Sequence, residues 1–509
     1  MEQDDPQGSK KENNRGRSSA GSGKNLLTFL LPIVFKLFRK KPKLTLILIA
    51  LGCAFYFFGG KRLLTTFRSD TPSLFATGFQ PNLQKYDAVK VFEPLADNRK
   101  NPLPESYSLL KYCPKRLNQG KQGSCVGWAS SYAARSILYA RATGLEPNSI
   151  AFSPSYLYNQ IALEGCQGAY LKDAMASMHQ DGVLPFHQFA YDENECHDKP
   201  EKYELHKALD FKIKGYNRLT TAGNKYDVDL LAIKQNIAQG APVIIGMMVG
   251  GTFMQKMQGK EVWIPTQSDY NQRGFGGHAM CVIGYDDYKE GGAFEIMNSW
   301  GEAWGKKGIT YVTYRDFKTF VKEAYGLFPM GNEAEEKSTS IKAKIALVTN
   351  QENQYIPLGR KSVDTYRTTQ VLKKGTKFKM EVSNSSACYI YIFGQETDGT
   401  SYVLFPYTKK HSPYCGITGT RLFPKDYSML LDKQGTQDYI ALVLTQEPID
   451  YVAFNERITK AKGMNYSQKL KAIAPNQEGV LSSGGEQISI QTDFAKTPLT
   501  VMVIEIKKK

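Results

Sequence analysis

The sequence predicts an α+β domain followed by an all-β, sandwich-like domain, both set behind an N-terminal transmembrane helix. Three observations carry this reading. Leu44–Phe58 is an uncharged apolar run, LTLILIALGCAFYFF. From Leu103 to Gly331, helical patterns alternate with β-branched runs bounded by glycine. Beyond the polar stretch GNEAEEKSTS, the pattern turns to strands separated by short turns. A chain of 509 residues with 41% hydrophobic content has room for two or three domains with cores of their own.

Residues 1–62 hold twelve Lys and Arg against four Asp and Glu, which is half of the net charge of +16. That charge flanks an apolar segment instead of covering a folded face, so no nucleic-acid partner is expected. Residues 1–43 read as a disordered basic segment and 44–60 as a membrane anchor. Five basic residues within Lys36–Lys43 place the N-terminus in the cytoplasm. The long basic start and the lack of a small-residue cleavage site favour a retained span over a signal peptide. The earlier run Leu26–Phe35 contains Pro32 and is too short to span. It lies in the interface, or pairs with Leu44–Phe58 in a hairpin that would reverse the topology. Residues 61–102, with scattered Pro and Gly, read as a tether.

The first domain is expected over 103–331. Val126–Gly144 suits a helix of small and apolar residues that ends at its glycine. Ala241–Val249 and His278–Asp286 read as buried strands. Residues 332–340 form a linker. In 341–509 the runs KFKMEV, YIYIF, SYVLF, YIALVL and TVMVIEI read as strands, and only 450–473 looks helical.

Chemistry enters at NQGKQGSCVGWA, residues 118–129, where a glycine turn delivers Cys125 to a helix start. A helix N-terminus and a nearby imidazolium both stabilise a thiolate; an isolated cysteine is otherwise a small buried hydrophobe. Of six histidines, His278 alone follows a glycine loop and opens an apolar strand. Asn298, in EIMNSWGEAWGKKG, stands at a strand end where it can orient an imidazole. Trp300 is placed to cover that bond. No Cys/His cluster has ligand spacing, so neither a metal nor a cofactor is implied. Cys166 with Cys196, and Cys388 with Cys415, are pairs of modest separation whose connectivity the sequence leaves open.

The three motifs NQGKQGSCVGWA, GGHAMCVIGYD and MNSWGEAWGKKG, in this order, resemble the papain-like (C1) cysteine peptidases over residues 103–330. The resemblance implies a two-lobed fold, one lobe helical and one β-barrel-like. It implies Cys125 as nucleophile, His278 as general base and acid, Asn298 as its orienting partner and Gln119 as an oxyanion donor. Gly168, Gly277 and Trp300 would face substrate. The family's GCxGG loop stands here as GCQGA, Gly165–Ala169, which puts main-chain contacts at Ala169 in question. The cysteine usually found three before the nucleophile is Gln122, so the resemblance pairs Cys166 with Cys196 instead, and leaves Cys281 a buried free thiol. The stretch before the domain lacks the long helical inhibitory propeptide of lysosomal relatives. Residues 341–509 resemble an uncharacterised β-rich domain fused to bacterial peptidases and kinases.

The expectation is a peptidase acting on protein or peptide substrates, held at a bacterial inner membrane by one N-terminal helix and facing the periplasm. Its last domain would bind cell-wall material or a protein, or only position the rest. The rivals are a catalytically idle peptide- or cell-wall-binding scaffold, and a thiol amidase or transpeptidase on a non-protein amide.

Overall fold

The computed structural model describes residues 75–96, 99–220, 227–328, 340–350, 354–461, 464–474, 479–483 and 485–509. The apolar runs Leu26–Phe35 and Leu44–Phe58 lie outside them, and among the described residues no helix is long and apolar enough to cross a membrane.

The first domain begins its helical half at Cys125. Cys125–Gly127 is α-helical, Trp128–Arg135 is a π-helical stretch, and Ser136–Thr143 returns to α geometry. Gly144 ends this rod in the left-handed conformation, φ 72°, with its N–H bonded to the Ala140 carbonyl. The helix is apolar nearly all round and is buried accordingly, with Ala134, Ile137 and Ala140 fully enclosed. Against it pack Pro154–Ile161, whose start is capped by the Ser153 side chain, and Leu171–Gln180.

The other half is an eight-stranded sheet. Its hydrogen-bonded order runs Tyr216–Arg218, Val321–Leu327, Val243–Val249, Gly276–Asp286, Ala293–Met297, Ile309–Thr313 and Val262–Trp263, with Ser106–Ser108 added alongside Gly276–Asp286. No ladder joins the two ends among the described residues, so the barrel-like lobe is an open sheet here. The central pair Val243–Val249 and Gly276–Asp286 is buried on both faces, which is why these strands read as unbroken apolar runs.

Residues 340–509 form two packed sheets. One runs Gly419–Phe423, Lys377–Asn384, Ser340–Thr349, Ile488–Asp493 and Gly479–Ser483; the other runs Leu358–Arg360, Thr365–Thr368, Leu499–Lys507, Gln437–Thr445, Cys388–Gln395 and Ser401–Phe405. Met380, Val382, Ile392, Leu442 and Ile504 meet between them. Helices Tyr451–Lys460 and Tyr466–Ile473 cover the outer face of the second sheet through Phe454, Ile458 and Leu470. Cys388 and Cys415 stand opposite each other across two strands and are both free thiols.

The stretch expected to be a tether departs from that reading over its described part. Phe79, Tyr86, Val89, Phe92 and Leu95 are all buried in the core of the first domain. Their partners lie far along the chain, so no local periodicity marks the segment. The Tyr86 hydroxyl, for example, donates to the Ala324 carbonyl at 3.2 Å.

Candidate active site

Cys125 stands at the first turn of the long helix and is wholly buried. Its Sγ accepts a hydrogen bond from the Ala279 N–H at 3.3 Å. Thus the strand that begins at Gly276 meets the start of the helix at the two residues His278 and Ala279. The preceding loop is fixed from several sides. Ser124 Oγ shares a 2.7 Å hydrogen bond with the Tyr191 hydroxyl, and Gln122 Nε2 donates to the Glu195 carbonyl at 2.9 Å. Next to Glu195, Cys196 is disulfide-bonded to Cys166.

His278 is also fully buried, and its Nε2 lies 2.8 Å from Asn298 Oδ1. Asn298 Oδ1 accepts in addition from the Ser299 N–H at 2.7 Å, so the Nε2–H tautomer is the one this oxygen can pair with. His278 Nδ1 has no hydrogen-bond partner among the described residues. Trp300 stacks on the imidazole with centroids 4.3 Å apart and planes 21° from parallel. The indole thereby fixes the ring plane and keeps water from one face of the His278–Asn298 bond. Gln119, buried, is held by Ser299 Oγ donating to its Oε1 at 2.6 Å, and its amide donates to the Gln122 carbonyl at 2.9 Å. An amide nitrogen carries two protons, so one donor remains beyond this bond.

A segment of the chain itself runs across these groups. Residues 75–80, here called the strap, pass beside Cys125 and His278 and bond the main chain at Gly277, next to His278. Gly78 and Phe79 N–H both donate to the Gly277 carbonyl, at 3.1 and 3.0 Å. Ala169 N–H donates to the Gly78 carbonyl at 2.8 Å, and Gln80 N–H to the Ala169 carbonyl at 3.1 Å. Trp300 Nε1 donates to the Ala76 carbonyl at 2.9 Å, while Phe75 stacks on the indole. Gly168 backs the strap so closely that a Cβ there would fall 2.1 Å from the Gly78 oxygen. Both main-chain polar groups of Ala169 bond the strap, and the residue is fully buried.

The strap lies parallel to the chain at Ala169. The N–H groups of Ala279, Gly78, Phe79 and Val126 oppose in part the effect of burial on the thiol. Burial pushes the Cys125 thiol up to about 12 and draws His278 down to about 4, the latter only partly offset by Asn298. Burial thus favours the uncharged form of each group. Exposure to water would remove the cause of both shifts.

The remaining sulfurs play no part in this geometry. Cys281 and Cys113 are buried free thiols, and burial raises both. Cys166, Cys196 and His197 converge, but the two sulfurs are bonded to each other, which takes them away from a metal. The sequence did not single out residues 75–80, whose contacts are almost all main-chain.

Residues 108–324 match the family model described as papain family cysteine protease, and residues 371–448 match a domain of unknown function, DUF4384. An uncharacterized peptidase C1-like protein of Acanthamoeba polyphaga mimivirus is 30% identical over 237 residues, which is 44% of this chain and 71% of that protein. Cathepsin K of Mus musculus is 26% identical over 235 residues, 45% of this chain and 64% of the relative. Among solved structures, xylellain, a cysteine protease from Xylella fastidiosa, aligns with 50% of this chain and 96% of its own, at 21% identity and a TM-score of 0.40.

Proposed function

The chain belongs to the papain family of cysteine proteases, and from that premise we propose that Cys125, His278 and Asn298 carry peptide-bond hydrolysis once the strap has left the cleft. The observation that bears most of this reading is the 2.8 Å link between His278 Nε2 and Asn298 Oδ1 beneath Trp300. It holds the imidazole by one nitrogen and leaves Nδ1 without a partner among the described residues, available to exchange a proton with sulfur.

With the cleft open, the thiol gives its proton to His278 and the thiolate, at a helix N-terminus, attacks the substrate carbonyl. The oxyanion accepts hydrogen bonds from the Cys125 N–H and the remaining Gln119 amide proton. His278 then protonates the departing amine as the C–N bond breaks. The acyl-enzyme is hydrolysed by water that His278 deprotonates, which restores the thiol. Gly277 and Ala169 would align an extended peptide through the same main-chain groups that now hold the strap, and Trp300 would continue to cover His278.

Anchoring by Leu44–Phe58 with both folded domains in the periplasm belongs to the same proposal. The Cys166–Cys196 disulfide supports an oxidising compartment for the folded part.

The test pairs the protein with its Cys125→Ala and His278→Ala variants. Each is incubated with a peptidyl-epoxide thiol probe and then with unfolded casein. Labelling and cleavage confined to the native protein are expected. Labelling without cleavage would mean a narrow or non-protein substrate; no labelling of a folded, strap-weakened protein would end the proposal.

A further inference from the structure

The strap continues into a segment that both domains hold. Lys90–Phe92 is bonded along one edge to the first domain: Arg218 N–H donates to the Lys90 carbonyl at 3.0 Å, and Phe92 N–H to the Arg218 carbonyl at 3.1 Å. Along its other edge the β-sandwich takes the remaining groups. Val91 N–H donates to the Lys410 carbonyl at 2.7 Å, and Ser412 N–H donates to the Val91 carbonyl at 2.9 Å. Lys410 also forms an ion pair with Asp87.

Further along, the sandwich strand Gly419–Phe423 holds the segment again. Ala96 N–H donates to the Thr420 carbonyl at 2.8 Å. Asn101 accepts from the Thr420 N–H at 2.8 Å and donates to its carbonyl at 2.9 Å, while also donating to the Ala96 carbonyl. The fully buried Arg421 reaches back to the Glu93 carbonyl at 3.1 Å. Such paired main-chain bonds are worth little each against water and fix position when they act together.

On the peptidase reading given above, we propose that the C-terminal β-sandwich is the clamp that keeps residues 75–80 over Cys125, by completing the second edge of Lys90–Phe92 and holding Asn101. With the sandwich seated, Val91 lies in an interior strand with both edges paired. Without it the same residue lies on an edge, its N–H and C=O facing water, and the strap keeps its own bonds and the ties of Lys85 to Asp173, Tyr86 to Ala324 and Lys90–Phe92 to Arg218. The sandwich also meets the first domain directly, at Thr418 with Gln239, Lys425 with Asp229 and Tyr414 with Phe328; through the segment above, its state sets how often the cleft is open.

The experiment uses the full chain with Asn101→Ala and Lys410→Ala combined, and compares it with Phe79→Ala and with the triple variant. Two readouts are followed: the rate at which the peptidyl epoxide labels Cys125, and hydrogen exchange at residues 77–80 beside exchange in the sandwich strand Gln437–Thr445. The clamp variant is expected to label about tenfold faster, the loss of one or two net hydrogen bonds, with faster exchange at 77–80. The triple variant should label faster than Phe79→Ala alone until the cleft is fully open, because both changes weaken the same closed state. Faster exchange of the sandwich together with the strap supports the clamp equally; a sandwich that loosens while 77–80 stays protected overturns it. Acceleration by Phe79→Ala but none by the clamp variant overturns the clamp and leaves the peptidase reading standing. Absence of labelling in every variant, with 77–80 exchanging freely, removes the peptidase reading on which it rests.

Discussion

Phe79 lies against Gly246 so closely that a Cβ at position 246 would fall 2.3 Å from the tip of its ring. The phenyl group is buried to 1% exposure on a floor of bare main chain. This floor belongs to the strand Val243–Val249, and Gly246 pairs across to Ala279, next to His278. The strap is therefore held by two aromatic contacts, Phe79 on Gly246 and Phe75 on Trp300, as well as by its main chain.

Removing the Phe79 contact should open the site. Phe79→Ala deletes a buried aromatic side chain, for which a cost of about 3 kcal/mol to the closed state is ordinary. Labelling of Cys125 by the epoxide probe should rise on the order of a hundredfold if the open state is scarce in the native protein. Gly246→Ala should act in the same direction by displacing the ring. An unchanged labelling rate in both would mean that the strap does not limit access.

Asn298 acts through His278. Asn298→Ala leaves the ring stacked on Trp300 but no longer held at Nε2, and kcat should fall about 10- to 100-fold with KM little changed. Measuring this in a Phe79→Ala background separates the chemical step from strap opening. A fall in KM-dependent binding alone would count against an orienting role.

Acid and alkali should loosen the structure through different residues. His278 is held at about 4 in the closed fold, below its ordinary 6.5, so its contribution is complete above 6.5 and is lost as pH falls toward 4. Glu93, nearly buried, is raised by desolvation to about 8, with Arg421 and Lys425 partly opposing. Its contribution is complete below its ordinary 4.5 and is lost as pH rises through 8. Urea midpoints for the native protein, His278→Gln and Glu93→Gln should show this. The first variant should lose part of the acid-side slope, worth up to about 3 kcal/mol, and the second part of the alkaline-side slope. Parallel pH profiles in all three proteins would contradict both assignments.

The Cys166–Cys196 bond closes a loop with a sequence separation of 30 and lies beside the Gly165–Ala169 turn that holds the strap. Its loss through Cys196→Ser should cost about 3 kcal/mol, read as a lower Tm. The Tyr158 hydroxyl, which donates to the Cys166 carbonyl at 2.8 Å, then becomes the main remaining tie on that turn. Hydrogen exchange at Gly168 and Ala169 should rise. A Tm within a degree of the native value would show the loop to be held by packing alone.

Much of the site was legible because its residues carry side-chain signatures: a cysteine after a glycine turn, a histidine opening a buried strand, an asparagine two before a tryptophan. The helix ending at Gly144 and the five named strands of the last domain were legible for the same reason, local periodicity closed by a turn residue. The π-helical stretch Trp128–Arg135 was not, since its small and apolar residues suit either helix. Ser340–Thr349 was not singled out as a strand; Ile341–Ile345 alternate toward the sandwich core, while Ile345–Val348 are all buried. The strap was least legible. Ala76 and Gly78 bind through main-chain groups common to every residue, to partners as distant as Gly277 and Trp300, and nothing in their own composition shows it.

The ties on Lys90–Phe92 lie only ten residues past the strap, and they do not need the strap in order to persist. A strap that lifts from Cys125 therefore stays on a short leash beside the cleft. Its return is an intramolecular event, with an effective concentration on the order of millimolar. Any peptide must compete with that figure, however well it fits. A single chain break between Gln80 and Tyr86 would turn the same six residues into a dilute competitor held only from their other end.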